Sequence, residues 1–168
     1  MARTFGILCV LALTLAIVAP AARADTYRIP PTGSPALSVD TPAGWKATVN
    51  PQGGIVAGAT DGSALLQLWL ILDPKLATMT EADIAAEMFK SVGAPPPTKN
   101  EPGSIGDAHG QAFIGATTMA GAAVGLRVVL VRLDATRVAL LLETTREPLT
   151  TPQRAALNQL VARISLIR

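Results

Sequence analysis

Few residues in this chain have the chemistry for a reaction. His109 is the only histidine in 168 residues, which excludes a metal site built from several histidines. Asp107 stands two residues before it and Ser104 five, so a Ser-His-Asp hydrolase can be drawn. Such a triad needs a positioned nucleophile and an oxyanion hole, and no Gly-x-Ser-x-Gly elbow occurs. His109 therefore reads as a solvated histidine where a loop enters a strand, with hydrolysis kept as a remote alternative. Gly103, Gly106 and Gly110 suggest a phosphate loop, but that device runs from strand through glycines to helix. Here a proline-rich stretch precedes and a strand follows, so they read as turn glycines. Asp83 and Glu87 lie one helical turn apart opposite an apolar stripe. With Lys90 three residues beyond Glu87, they make a charged, solvated face.

Three further groups could bind something. Arg127, Arg132 and Arg137 fall in one hairpin and could hold an anion, although strand-end solvation accounts for them as well. Trp45 and Trp69 could line a ligand groove, but large aromatic side chains usually fill a core. Pro95-Pro96-Pro97 reads as a stiff connector. The binding candidates are thus Trp45, Trp69, His109 and Arg127. No catalytic residue, metal ligand or cofactor is assigned.

The first 24 residues sharpen these exclusions. Arg3 is followed by an apolar run from Phe5 to Val18, then by Pro20 and Ala22-Arg23-Ala24. This is the pattern of an export signal cleaved between Ala24 and Asp25. The run is too short for the roughly 20 residues that cross a bilayer as a helix. Cleavage removes Cys9, the only cysteine, and with it disulfides, thiolate nucleophiles and cysteine-bound metals. It also removes Arg3 and Arg23, leaving 12 basic residues against 12 acidic ones. A neutral mature chain gives no basis for nucleic-acid binding, and since no second apolar run approaches membrane-spanning length, stable membrane insertion after cleavage is not expected. Ala, Arg, Gly and Pro are abundant, as a GC-rich bacterial genome would encode, and the expected location is periplasmic or secreted.

The mature chain divides into an extended proline-rich arm, 25–35, and one domain, 36–168. Within the domain, short strands are expected at Ala36–Asp40, Trp45–Val49 and Ile55–Ala59, separated by Pro, Gly and Asn turns. Ala64–Leu72 is apolar at both parities, as a central strand covered on both faces would be. Thr80 opens a helix through a capping box with Asp83, and Gly93 closes it. The stretch from Ala94 to Gly106 is expected as a long loop. A meander follows, near Gly110–Thr117, Val124–Leu133 and Arg137–Thr144. Its apolar even positions must pair even with even, because a slip of one residue inverts the faces. A three-residue loop, Asp134–Thr136, then sets Leu133 opposite Arg137 and Arg127 opposite Glu143. The predicted Arg127–Glu143 ion pair would be worth a few tenths of a kcal/mol if exposed. Thr151 caps a last helix with Pro152 in its first turn and a stripe of Leu157, Leu160, Val161 and Ile164.

This order is α+β: a mostly antiparallel sheet of about six to seven strands covered by helices. The short strand, Pro42-Ala43-Gly44-Trp45, the strand pair, helix, meander opened by Gly115 and closing helix resemble the PsbP-like superfamily, including its secreted bacterial DcrB-like members. The resemblance spans Ala36 to Ile167. It implies an α/β/α sandwich and a non-catalytic accessory role, and it carries over no functional residue. DcrB-like proteins are commonly lipid-anchored, and this chain lacks a lipobox. The expected function is a periplasmic binding or accessory protein that meets an envelope protein through an exposed apolar patch. The alternative is a carrier of a small apolar ligand or lipid, which requires an enclosed cavity.

Overall fold

A computed structural model describes residues 25–51 and 53–167. The export signal expected over residues 1–24, with the Ala24 side of its expected cleavage site, lies outside the described residues. Ten strands and two α-helices follow in the order β1 (Thr26–Ile29), β2 (Ala36–Asp40), β3 (Trp45–Val49), β4 (Ile55–Ala59), β5 (Ala64–Leu72), α1 (Glu81–Ser91), β6 (Lys99–Ile105), β7 (Ala108–Met119), β8 (Ala122–Arg132), β9 (Arg137–Arg146), α2 (Thr151–Val161) and β10 (Ile164–Ile167). A short 3-10 helix, Pro74–Thr78, leads into α1. Seven strands form one antiparallel sheet in the order β3-β4-β5-β9-β8-β7-β6, and three form a second, β1-β2-β10. Among the described residues, no helix is long and apolar enough to cross a membrane.

Strand periodicity sorts the large sheet into two apolar faces. Even positions of the β8–β9 hairpin, such as Val128, Leu140 and Leu142, pack with Ile84, Ala85 and Phe89 of α1. Odd positions, such as Val129, Val131 and Leu141, pack with Leu157 and Leu160 of α2 and with Leu37, Val39 and Leu166 of the small sheet. The fold is α+β as expected. One face of the sheet is covered by α1 and the other by α2, which a second, small sheet accompanies.

The first helix is capped as its sequence predicts. Asp83 N–H donates to Thr80 Oγ1 at 3.2 Å, and Thr80 N–H donates to Asp83 Oδ2 at 3.0 Å. At its end, Gly93 and Ala94 N–H donate to the carbonyls of Lys90 and Phe89, a Schellman closure. Phe89 packs against Gly115 of β7, where an added Cβ would come 2.5 Å from the ring. Arg132 fastens the same region to the sheet. Its Nε donates to Glu81 Oε1, Nη1 to the Leu76 carbonyl and Nη2 to the Met79 carbonyl, all at 2.8–2.9 Å.

Four expectations need correction. The stretch 94–106 is not all loop: Lys99–Ile105 is β6, paired with β7 at the edge of the sheet. Pro102 is tolerated there because an edge strand hydrogen-bonds on one side only. The arm, 25–35, is extended but not separate, since Thr26–Ile29 pairs with β2 and buries Ile29. The cap of α2 is Thr150, whose box closes with Gln153, rather than Thr151. Ile164 is not on α2. Ile164 and Leu166 are buried while Ser165 and Ile167 are exposed, a two-residue period that makes β10 beside β2.

Candidate functional site

The odd face of the β8–β9 hairpin is apolar only along part of its length. Towards the start of β8 it carries Arg127, and across from it Glu143 and Thr145 on β9. The register sets Arg127 directly opposite Glu143, as parity requires, and Arg127 Nη1 donates to Glu143 Oε1 at 2.8 Å. This pair is not the exposed one that a few tenths of a kcal/mol would describe. The Arg127 side chain is 30% exposed and that of Glu143 only 11%. Burial pushes the Glu143 carboxyl above its usual range, and the charge and hydrogen bond of Arg127 only partly oppose this.

The opposite wall comes from α2. Arg154, Leu157, Asn158 and Val161 recur at i, i+3, i+4 and i+7, so they form one stripe of that helix. Between wall and floor is an open cleft of about 480 Å³. Glu147, just past β9, folds back into it. Its Oε1 accepts from Thr145 Oγ1 at 2.8 Å and stands 3.6 Å from Arg154 Nη2, while Oε2 accepts from Leu149 N–H at 3.4 Å. Gly125 makes room for this. A Cβ there would lie 2.8 Å from Thr145 Oγ1 and 2.9 Å from Glu147 Oε1. From the β6 side Glu101 completes the lining. Lys99, 2.7 Å away, holds its carboxyl below the usual range, with a small contribution from Arg127.

Of the candidates named from sequence, only Arg127 lines this cleft. Trp45 is buried in the core under α2, whereas Trp69 packs half-buried against the core under α1. The two indoles serve different cores and do not line one groove. His109 is exposed on β7, across from Ser104 on β6. Among the described residues no hydrogen bond joins its side chain to Ser104 or Asp107, and its parity places it on the α1 face. The three hairpin arginines do not gather around an anion: Arg127 pairs with Glu143, Arg132 with Glu81 and Arg137 with Asp134. Asp83 serves as a cap, and Glu87 and Lys90 are an exposed pair at 4.0 Å. Gly103 and Gly110 face each other across two strands, and only Gly106 sits in a turn.

Chemically, the cleft holds three carboxylates, two guanidiniums, one hydroxyl and one carboxamide. Its lining includes no serine, cysteine, histidine or lysine, and the Thr145 hydroxyl is engaged by Glu147. No group of three or more potential ligands is placed to hold a metal ion among the described residues. The arrangement suits recognition of charged groups. Glu101, Glu147, Arg154 and Asn158 escaped the sequence reading. The stripe on α2 was the available signal, since two polar residues interrupt it at helical spacing.

Comparison with known proteins bears on the fold. No protein-family model matches the chain, and no curated protein does. A crystal structure from Bacteroides thetaiotaomicron superimposes with a TM-score of 0.51 at 9% identity, over 79% of this chain and 45% of that one. This chain therefore spans less than half of that protein. A point mutant of the protein Mog1 superimposes at 0.50 with 11% identity, over 85% of this chain and 96% of Mog1. The fold is Mog1-like. CyanoP, the cyanobacterial PsbP of Synechocystis, gives 0.44 at 10% identity over 92% of this chain and 98% of CyanoP.

Proposed function

We propose that the mature chain is a periplasmic or secreted bacterial protein that binds a protein partner in the envelope and catalyses nothing. The observation that carries this reading is the cleft between α2 and the β8–β9 floor. It offers opposed charges on rigid elements but no nucleophile in its lining. The export-signal pattern of residues 1–24 supports the location. Mog1 shares the fold, and its Saccharomyces cerevisiae form is a Ran-binding protein, which fits a binding role without assigning a partner. The surface that meets the partner is polar, not the apolar patch anticipated above. Among the described residues, the exposed large apolar side chains are Val49, Leu72 and Ile167, on three different strands. An apolar carrier finds no support in a cleft lined by five charged side chains.

The test has two readouts. Expression of the full chain in a Gram-negative host should yield periplasmic protein whose N-terminal residue is Asp25. Uncleaved chain retained in the membrane would overturn the location. Affinity capture from envelope extracts should recover one stoichiometric partner, lost when Asn158→Trp fills the cleft from the exposed wall. Repeated recovery of nothing would overturn the binding role.

A further inference from the structure

We propose that the cleft receives a basic side chain, the guanidinium or ammonium head of an arginine or lysine on the partner polypeptide. The proposal rests on the cleft being the partner's site, and it adds what the site recognises.

The charged groups are unequally served. Glu147 has Thr145, the Leu149 amide and Arg154, and Glu101 has Lys99. Glu143 is the most buried of the three, yet it accepts a single hydrogen bond, from Arg127 to Oε1. A carboxylate offers about four acceptor positions, and Oε2 of Glu143 accepts no hydrogen bond from the described residues. Arg28 Nε is the buried side-chain polar atom left without a partner among the described residues, so Glu143 Oε2 is open to the cleft. A cationic donor entering the cleft would add a charge-assisted bond there.

The shape of the lining selects a side chain over a free ion. Ile114, Leu157 and Val161 present apolar surface beside the charged groups. Such a wall suits the methylene stem of lysine or arginine, which packs on apolar surface while its head stays polar. A small inorganic cation would leave that wall unused.

The experiment uses full chain recovered from an expressing host and three capped peptides: Gly-Arg-Gly, Gly-citrulline-Gly and Gly-Glu-Gly. Citrulline keeps the shape of arginine and removes its charge. The arginine peptide should shift the amide NMR signals of Arg127, Glu143 and Asn158. Citrulline should bind at least tenfold more weakly, and the glutamate peptide should leave those signals in place. Raising salt from about 50 to 300 mM should weaken arginine binding severalfold, as expected for partly exposed charges. Glu143→Gln should cost at least tenfold. Should that variant fail to fold, Asn158→Trp decides, because it changes an exposed residue and blocks the same space. Equal binding of arginine and citrulline, or arginine binding unchanged in folded Glu143→Gln, would overturn the proposal. A partner captured by wild type and still captured by Glu143→Gln would defeat this inference alone. Absence of any partner would defeat the binding role itself.

Discussion

Two arginine–glutamate pairs, one on each face of the large sheet, have nearly the same length and opposite characters. On the α1 face, Arg132 Nε meets Glu81 Oε1 at 2.9 Å. On the α2 face, Arg127 Nη1 meets Glu143 Oε1 at 2.8 Å. The arginines are almost equally exposed, at 28% and 30%. Arg132, however, divides its donors among the Glu81 carboxylate and the Leu76 and Met79 carbonyls of the 3-10 turn before α1. Arg127 gives one bond to a carboxylate that burial destabilises. The first pair is a fastening with its valences filled. The second is a pair with valences to spare. Ion-pair length alone does not distinguish structure from site; the count of satisfied donors and acceptors does.

The largest effect that tests this contrast is truncation of the arginines. Arg132→Ala removes three charged hydrogen bonds at once and should destabilise by about 2–4 kcal/mol. Arg127→Ala removes one and should cost about 1–2 kcal/mol. Urea denaturation of both variants measures the difference, and equal losses would break the comparison. The glycines beneath each face give a smaller test. Gly115→Ala drives a methyl group into the Phe89 ring and should cost about 1–3 kcal/mol. Gly125→Ala meets Thr145 Oγ1 and the Oε1 and Cγ of Glu147, and the Glu147 side chain can swing into the open cleft. It should cost less than about 1 kcal/mol while weakening partner capture.

The smallest effect is on pH dependence, and its sign differs between the faces. The Glu81 carboxyl is held below its usual 4.5, chiefly by the Arg132 hydrogen bond. Its contribution is complete above about 4.5 and is lost as pH falls below that value. The Glu143 carboxyl is raised by burial, so the folded chain holds that proton more tightly than the unfolded chain. Its contribution therefore declines as pH rises from 4.5 towards the raised value. Relative to wild type, Glu81→Gln should lose its destabilisation on acidification. Glu143→Gln should gain relative stability as pH rises. Parallel curves for the two variants would remove the electrostatic half of the contrast.

The pairing at Glu143 was legible in the sequence because strand parity leaves one register that keeps Leu126, Val128 and Leu130 on the same face as Leu140 and Leu142. The α1 cap was legible because Thr80 and Asp83 carry a local signal. Strand β6 was not, since Pro102 and its charged neighbours read as loop unless the strand is known to be an edge. Ile164 misled for a different reason. It continues the helical spacing of Leu157, Leu160 and Val161, while also beginning the alternation with Leu166. The cleft was half legible: its floor follows from register, but its wall depends on where α2 docks, and no short-range pattern encodes that placement. Glu147 lies beyond the strand whose parity would have aimed it.

The pairing of β10 with β2 sets Ile164 opposite Val39, joining the two ends of the domain's sequence. Long-range closure of this kind is slow to reward the chain, because its entropic cost precedes its contacts. The meander β7-β8-β9 can assemble from consecutive hairpins, and α1 closes over it from a neighbouring segment. The small sheet can begin with the local β1–β2 pair and is completed only by β10. Pulse-labelled hydrogen exchange during refolding should therefore protect the meander amides before those of β10. A chain shortened by its last strand should keep the α1-side core while leaving Leu37 and Val39 uncovered. On this expected order, the wall of the cleft on α2 belongs to the later part of assembly.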